Sequence, residues 1–302
     1  MWPGGKVGIG EAMALGSAAA WAVGVILARQ LGAHLPPLTL NLLKNGLVLC
    51  LLAPVALPLY AGAWPSMPVR ELLLVLASGV IGIALADTLY FRALNELGAG
   101  RMGVIGNLYS PLVLLLGFVF LDERLGGLQW LGFLLVAGGV LLVSMPARMR
   151  AVRPAHTLRG ILLGVLAIAL MAIAIVMVKR TLETQPLLWV TLLRLCGAMV
   201  GLLFLASLPS MRQRMHFVPG DVAWHRLVLA ALVGQGLSMV LWLGGYKFTS
   251  ASVAAILNES ASVFLVVLAA LWLREPMGRR AFAGVLLTFS GIACMLLGRA
   301  TP

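Results

Sequence analysis

The sequence is short of what a water-soluble surface requires. Of its 302 residues only 11% are charged, and Asp and Glu together number 10. A soluble domain of this length needs a far larger polar share to cover itself. Cysteine is scarce as well. Cys50, Cys196 and Cys294 sit inside apolar runs, odd in number and without C-x-x-C spacing. That pattern argues for small core residues and against a disulfide framework or a thiolate metal site. No Walker motif, H-E-x-x-H or G-x-S-x-G occurs, which removes the usual signatures of nucleotide hydrolysis, zinc proteolysis and serine hydrolysis. His34, His156, His216 and His225 fall in connections rather than in apolar spans, so an enzyme working within a membrane finds no support, and no cofactor or metal is expected.

What is present is hydrophobic: 61% of the chain, with mean hydropathy +1.03. Apolar stretches of about 20 residues recur from end to end, the length needed to span a bilayer as a helix. Breakers such as "HLPP", "GAWPSMP", "DERLGG", "ETQP" and "REPMG" divide them into ten predicted helices. The first five cover 9–31, 38–60, 70–93, 99–121 and 127–146, and the second five 158–180, 186–208, 224–247, 250–273 and 278–298. The first ends in "ARQLGAHLPP" without a cleavage site and reads as a retained helix rather than a signal peptide. The predicted class is therefore an all-α polytopic membrane protein. The net charge of +12 comes from Lys and Arg in short connections, where they set orientation and meet anionic headgroups. No basic run interleaved with aromatics tracks a phosphate backbone, so no nucleic-acid partner is expected.

The two halves echo each other. A shift of 152 pairs Glu123 with Glu275, Gly132 with Gly284, Gly139 with Gly291, Tyr90 with Trp242, Asn107 with Glu259 and Ser110 with Ser262. Earlier in each half a shift of 150 pairs Arg29 with Lys179 and Lys44 with Arg194. This divides the chain into a first repeat at 1–147, a connection at 148–158 and a second repeat at 159–302. Five helices per repeat is odd, so the halves insert in opposite senses, and inverted repeats of this kind enclose a midplane site in secondary transporters. On one side lie thirteen basic residues (Arg29, Arg92, Arg101, Arg148, Arg150, Arg153, Arg159, Arg212, Arg214, Arg226, Arg274, Arg279, Arg280) against seven on the other (Lys6, Arg70, Arg124, Lys179, Arg180, Lys247, Arg299). The positive-inside bias then places the 147–158 connection in the cytoplasm and both termini outside.

Ten helices in two five-helix halves, with a Glu just after the fourth helix of each (Glu123, Glu275), resemble the drug/metabolite transporter superfamily. Within it the sequence is similar to the EamA-type exporters of amino acids and related metabolites, and "YFRAL" (90–94) and "NLYSP" (107–111) strengthen the likeness. The resemblance implies two inverted repeats around a central cavity, a bacterial inner-membrane location and a small-molecule substrate. It also implies cytoplasmic termini, contrary to the charge count.

Side chains three, four or seven apart share a helix face. Gln235, Ser238, Trp242 and Tyr246 make one polar stripe; Asp87 and Tyr90, Asn107 and Ser110, Glu259 and Ser262, and Ser17 and Trp21 make shorter ones. A carboxylate within a span costs roughly 2.5–3.5 kcal/mol on insertion scales, so Glu259 needs a reason to be there. As repeat equivalents, Asn107 and Glu259 approach one central site, flanked by the aromatic pair Tyr90 and Trp242. Trp21 stands in mid-span, unlike Trp64, Trp130, Trp189, Trp224 and Trp272, which suit interfacial belts. Candidate substrate contacts are thus Trp21, Tyr90, Asn107, Ser110, Trp242, Tyr246, Glu259 and Ser262. Candidate coupling or charge-pair groups are Asp87, Glu259, Lys44 and Arg194. Each of the two cations sits about seven residues into its helix, where it can either bind a substrate carboxylate or snorkel to the interface, and Asp87 can pair with either.

The leading function is a monomeric secondary transporter exporting amino acids, apolar or aromatic ones first, by alternating access, with substrate or proton gradients as the energy source. The alternative is efflux of drugs or quaternary cations, for which an aromatic lining and a buried carboxylate are the recognising chemistry.

Overall fold

A computed structural model describes residues 8–29, 36–97, 99–144, 154–212, 215, 224–272 and 278–298. The described residues form ten successive helical spans and no strand. The first repeat comprises α1 (Ile9–Arg29), α2 (Pro37–Tyr60), α3 (Val69–Leu97), α4 (Ala99–Gly106 continuing as Tyr109–Leu121) and α5 (Gly127–Ser144). The second comprises α6 (Pro154–Thr184), α7 (Leu187–Ser207), α8 (Trp224–Ala231 running on to Phe248), α9 (Ala251–Trp272) and α10 (Arg279–Leu297). Nine are long and apolar enough to cross a bilayer, and α5 is shorter but equally apolar. Proline sets several starts. Pro36, Pro68 and Pro186 sit just ahead of α2, α3 and α7, and Pro154 opens α6, positions where a missing N–H costs nothing. His156 and His225, expected in connections, lie in the first turns of α6 and α8, ahead of the apolar stretches that begin at Leu158 and Leu227.

The halves interleave instead of packing as separate bodies. The first helix of each packs on the third and fourth of the other: α1 lies against α8 and α9, and α6 against α3 and α4. Two reciprocal bonds clasp α1 to α8, since Ser17 Oγ donates to the Ser238 carbonyl at 3.0 Å and Ser238 Oγ to the Ser17 carbonyl at 3.2 Å. Helices α5 and α10 form a symmetric contact. A Cβ on Gly132 would stand 2.8 Å from the Gly291 carbonyl oxygen, and one on Gly139 would stand 2.6 Å from that of Gly284. The four glycines paired by the repeat thus meet crosswise, each allowing two backbones to touch, as small residues do between membrane helices. Outward faces carry Leu115, Phe118, Phe120, Leu134, Val200 and Phe204, all strongly exposed, as a lipid-contacting surface requires.

Charged groups tie the helix ends together. Glu123, just beyond α4, accepts from the N–H groups of Ala251 (2.6 Å) and Ser252 (2.8 Å) and from Ser252 Oγ (2.7 Å). A carboxylate there caps the positive end of α9. Its approach depends on Asp122, which adopts a left-handed φ of 57° at the end of α4. Glu275, its repeat partner, lies outside the described residues. Lys247 donates to the carbonyls of Leu182, Glu183 and Gln185, satisfying the C-terminal end of α6. The cysteines depart in part from the expected core placement: Cys50 is exposed, and Cys196 and Cys294 are half-buried.

Candidate functional site

Two irregularities of backbone occur in each repeat, at the same offset. Helix α3 contains a π-helical stretch at Val80–Leu85 and α8 one at Leu232–Leu237, 152 residues on. Helix α4 breaks at 107–108, and α9 at 259–260, again 152 residues on. π-Helical turns and broken spans expose backbone groups that a regular helix consumes, and both cluster at functional sites in membrane proteins. In the first half, Asn41 Nδ2 donates to the Ile83 carbonyl within the π stretch at 2.9 Å and lies 3.3 Å from Thr88 Oγ1. Asn45 Nδ2 bonds the Asn41 amide and carbonyl oxygens, and Gln235 Nε2 donates to Asn45 Oδ1 at 2.9 Å, linking α2 to the π stretch of α8.

Four further groups gather beside these irregularities. Lys44 Nζ lies 3.2 Å from Asp87 Oδ2 and 5.0 Å from the Phe91 ring centroid. The Glu259 carboxylate, at the break in α9, accepts from the Ser110 N–H at 3.1 Å, at the start of the second segment of α4. The α4 break therefore offers its positive helix end to the carboxylate of the α9 break. Tyr109 and Tyr246 share a hydroxyl–hydroxyl bond of 2.8 Å across the two repeats. Arg194 is 2% exposed, its Cζ 5.5 Å from the centroid of Trp242, which in turn meets Tyr246 edge-on at 4.9 Å. The charge of Arg194 also reaches Asp87, Tyr109 and Tyr246. A buried, aromatic-walled cluster holding separate positive and negative groups suits a small amphipathic solute.

The sequence-derived candidates divide between this cluster and other places. Ser110, Trp242, Tyr246, Glu259, Asp87, Lys44 and Arg194 come together. Asn107 is half-buried at the α4 break, and its Nδ2 makes no bond among the described residues. Ser262 is half-buried one turn beyond Glu259. Tyr90 meets Phe91 edge-on at 5.9 Å and packs, with Tyr109, against the core of Ala93, Met102 and Ile168, within reach of the Asp87 charge. Trp21 is 39% exposed on α1. The snorkelling placement considered for Arg194 is corrected: its guanidinium is buried against Trp242. Asp87 takes Lys44 as its partner. Ser17 and Ser238, assigned to stripes, are spent on the α1–α8 clasp. Tyr109, Asn41 and Asn45 were missed. Tyr109 directly follows the α4 break and is one of only 4 tyrosines in the chain, which is the signal that marks it. Among the described residues no group of three or more His, Cys, Asp or Glu is placed to hold a metal.

Comparisons with known proteins agree with this architecture. The model of the EamA-like transporter family matches twice, over residues 8–145 and 158–297. An uncharacterized transporter in the cobO 3'region of Sinorhizobium sp. is 32% identical over 108 residues, 35% of this chain and 74% of that protein. The uncharacterized transporter YetK of Bacillus subtilis (strain 168) is 22% identical over 240 residues, 79% of this chain and 72% of that one. A solved crystal structure, 20% identical, superposes with a TM-score of 0.77 over 96% of this chain and 98% of its own, which shows the fold.

Proposed function

The chain belongs to the EamA-like transporter family, and from that premise we propose that it exports amino acids, apolar or aromatic ones first, or related small metabolites by alternating access. The observation that carries this reading is the meeting of the two broken helices, where the Ser110 N–H of one repeat faces the Glu259 carboxylate of the other. Discontinuous spans at a repeat interface form the midplane sites of secondary transporters, and rocking of one repeat against the other exposes such a site alternately. Asp87 and Glu259 are the groups available to carry protons. The chain acts as a monomer in the bacterial inner membrane, with the 147–158 connection cytoplasmic. A green fluorescent protein fused after Pro302 stays dark in that orientation, and bright cells would reverse it.

Efflux of organic cations is the second reading. It is favoured by the Tyr109–Tyr246 pair and by a Glu259 that forms no ion pair among the described residues, and disfavoured by the cation Arg194 in the same cluster. Counterflow in proteoliposomes separates the two, using the twenty amino acids beside the cationic dye ethidium. Movement of apolar or aromatic amino acids supports export of that class. Movement of dye alone supports the second reading, and movement of neither defeats both.

A further inference from the structure

We propose that Arg194 is the docking cation for a carboxylate borne by the transported molecule. This deepens the transport reading above and rests on it. The first ground is a lack of partners. Arg194 is 2% exposed, and its Nε and Nη1 have no hydrogen-bond partner among the described residues; the charge of Asp87 reaches it, but the Asp87 carboxylate bonds Lys44. A buried charge is normally paired, because an uncompensated one is among the most costly features a protein can hold. A carboxylate docks on a guanidinium either beside Nε or across the two terminal nitrogens. Each way engages one of the two unpartnered atoms.

The second ground is the repeat. Lys44 is the equivalent of Arg194 at the shift of 150, and its counter-ion is Asp87 at 3.2 Å. The equivalent of Asp87 at the shift of 152 is Met239, which is buried and carries no charge. One half therefore supplies its own anion, and the other keeps the cation while replacing the anion by a thioether. The cation kept there is an arginine, which holds its charge in buried surroundings and binds carboxylates in a planar fork. Trp242 lies against the guanidinium, with Cζ 5.5 Å from the ring centroid, an arrangement that orients the fork.

The third ground is the separation of charge. Tyr109 experiences the charges of both Arg194 and Glu259, yet these two form no ion pair among the described residues, and Glu259 spends one oxygen on the Ser110 N–H. A cation and an anion held apart across a tyrosine pair complement a solute that carries both charges. Arg194 takes the carboxylate end, and Glu259 is left for the ammonium end.

Three probes dissect this: L-phenylalanine, 3-phenylpropionate (carboxylate without ammonium) and 2-phenylethylamine (ammonium without carboxylate). Each is titrated against the full chain in lipid nanodiscs by isothermal titration calorimetry, and then offered to proteoliposomes. Charge-assisted hydrogen bonds of this kind correspond to about 10- to 100-fold in affinity. Arg194→Met is expected to weaken 3-phenylpropionate and L-phenylalanine by that factor and to leave 2-phenylethylamine within about 3-fold. It folds, because it removes a buried unpaired charge for a side chain of similar length. Met239→Asp restores in the second half the pair that Lys44 makes in the first, and is expected to block the two carboxylates in the same way while raising thermal stability. Equal carboxylate binding by parent and Arg194→Met, or no binding of 3-phenylpropionate by the parent, overturns the proposal even when transport of amino acids is intact. If no probe crosses the membrane, the transport reading for this class falls, and the titration still decides the role of Arg194.

Discussion

The two repeats share a backbone and differ in chemistry. Their π stretches, their helix breaks and their crossing glycines recur at one offset. At the same offset Asp87 is matched by Met239, Asn107 by Glu259 and Pro111 by Val263. Inverted symmetry thus governs how helices bend and touch in both halves. The substrate has no such symmetry, and the side chains that would meet it have diverged. Where a feature is duplicated it is best read as scaffold. Where its two copies differ, the difference marks function.

The scaffold side of this comparison gives the largest expected effect. Leucine at Gly139 or at Gly284 drives a side chain into a backbone 2.6 Å away, and the two lesions strike the two sides of one contact. Each should cost more than about 3 kcal/mol, seen as aggregation in size-exclusion chromatography and loss of yield. Gly138→Leu is the control, since a Cβ there first meets a flexible side chain at 4.0 Å. Should Gly138→Leu be as damaging as Gly139→Leu, the crosswise glycine contact is not what holds α5 to α10.

Next in size is the contrast between the two cations. Lys44→Met strands Asp87, which retains 19% of its side-chain exposure, so the cost should approach about 3 kcal/mol without reaching the full value for a sealed pair. A second change, Asp87→Leu, should recover most of it. Arg194→Met breaks no ion pair among the described residues and leaves Asp87 with Lys44, so it should change thermal stability by less than about 1 kcal/mol in either direction. Thermal unfolding in one detergent compares all three, and equal losses for both cations would erase the asymmetry between the halves. Glu123→Ala is expected to fall between them, at about 2 kcal/mol, because it removes a helix cap made of three bonds across the repeats.

Much of the scaffold was legible before any coordinates. Apolar run length found all ten spans, because a bilayer imposes helix length directly on sequence. The offset of 152 also paired Gly132 with Gly284 and Gly139 with Gly291, although not the crosswise way in which they meet. The π stretches left no comparable trace. "VIGIAL" and "LVGQGL" read as ordinary helix, since one extra residue in a turn is a packing outcome and not a periodicity. The site was legible as composition but not as pairing. Lys44, Asp87, Glu259, Trp242 and Tyr246 were all singled out, whereas Tyr109 was passed over. Contacts such as Tyr109 to Tyr246 join positions 137 residues apart, and helix-face arguments end at one helix.

The smallest structural effect is expected at Glu259, and it sharpens the comparison most. Asn107 shows what the equivalent position holds when it cannot ionise. Glu259→Gln carries the second half toward that state, keeping size and an oxygen to accept from the Ser110 N–H while removing the charge. Stability should move by less than about 1 kcal/mol, because a hydrogen bond is retained and only its charge assistance is lost. Function separates the roles. A carboxylate able to exchange a substrate ammonium for a proton is what antiport needs, whereas one fixed on the α4 helix end only braces the break. Substrate counterflow and pH-gradient-driven uptake are to be measured on the same proteoliposomes. Loss of the pH-driven component with counterflow retained identifies Glu259 as a proton carrier. Loss of both assigns it to substrate binding. Parental rates in both assays would make the charge dispensable, so that Glu259 and Asn107 perform the same structural task and the divergence between the two breaks carries no function.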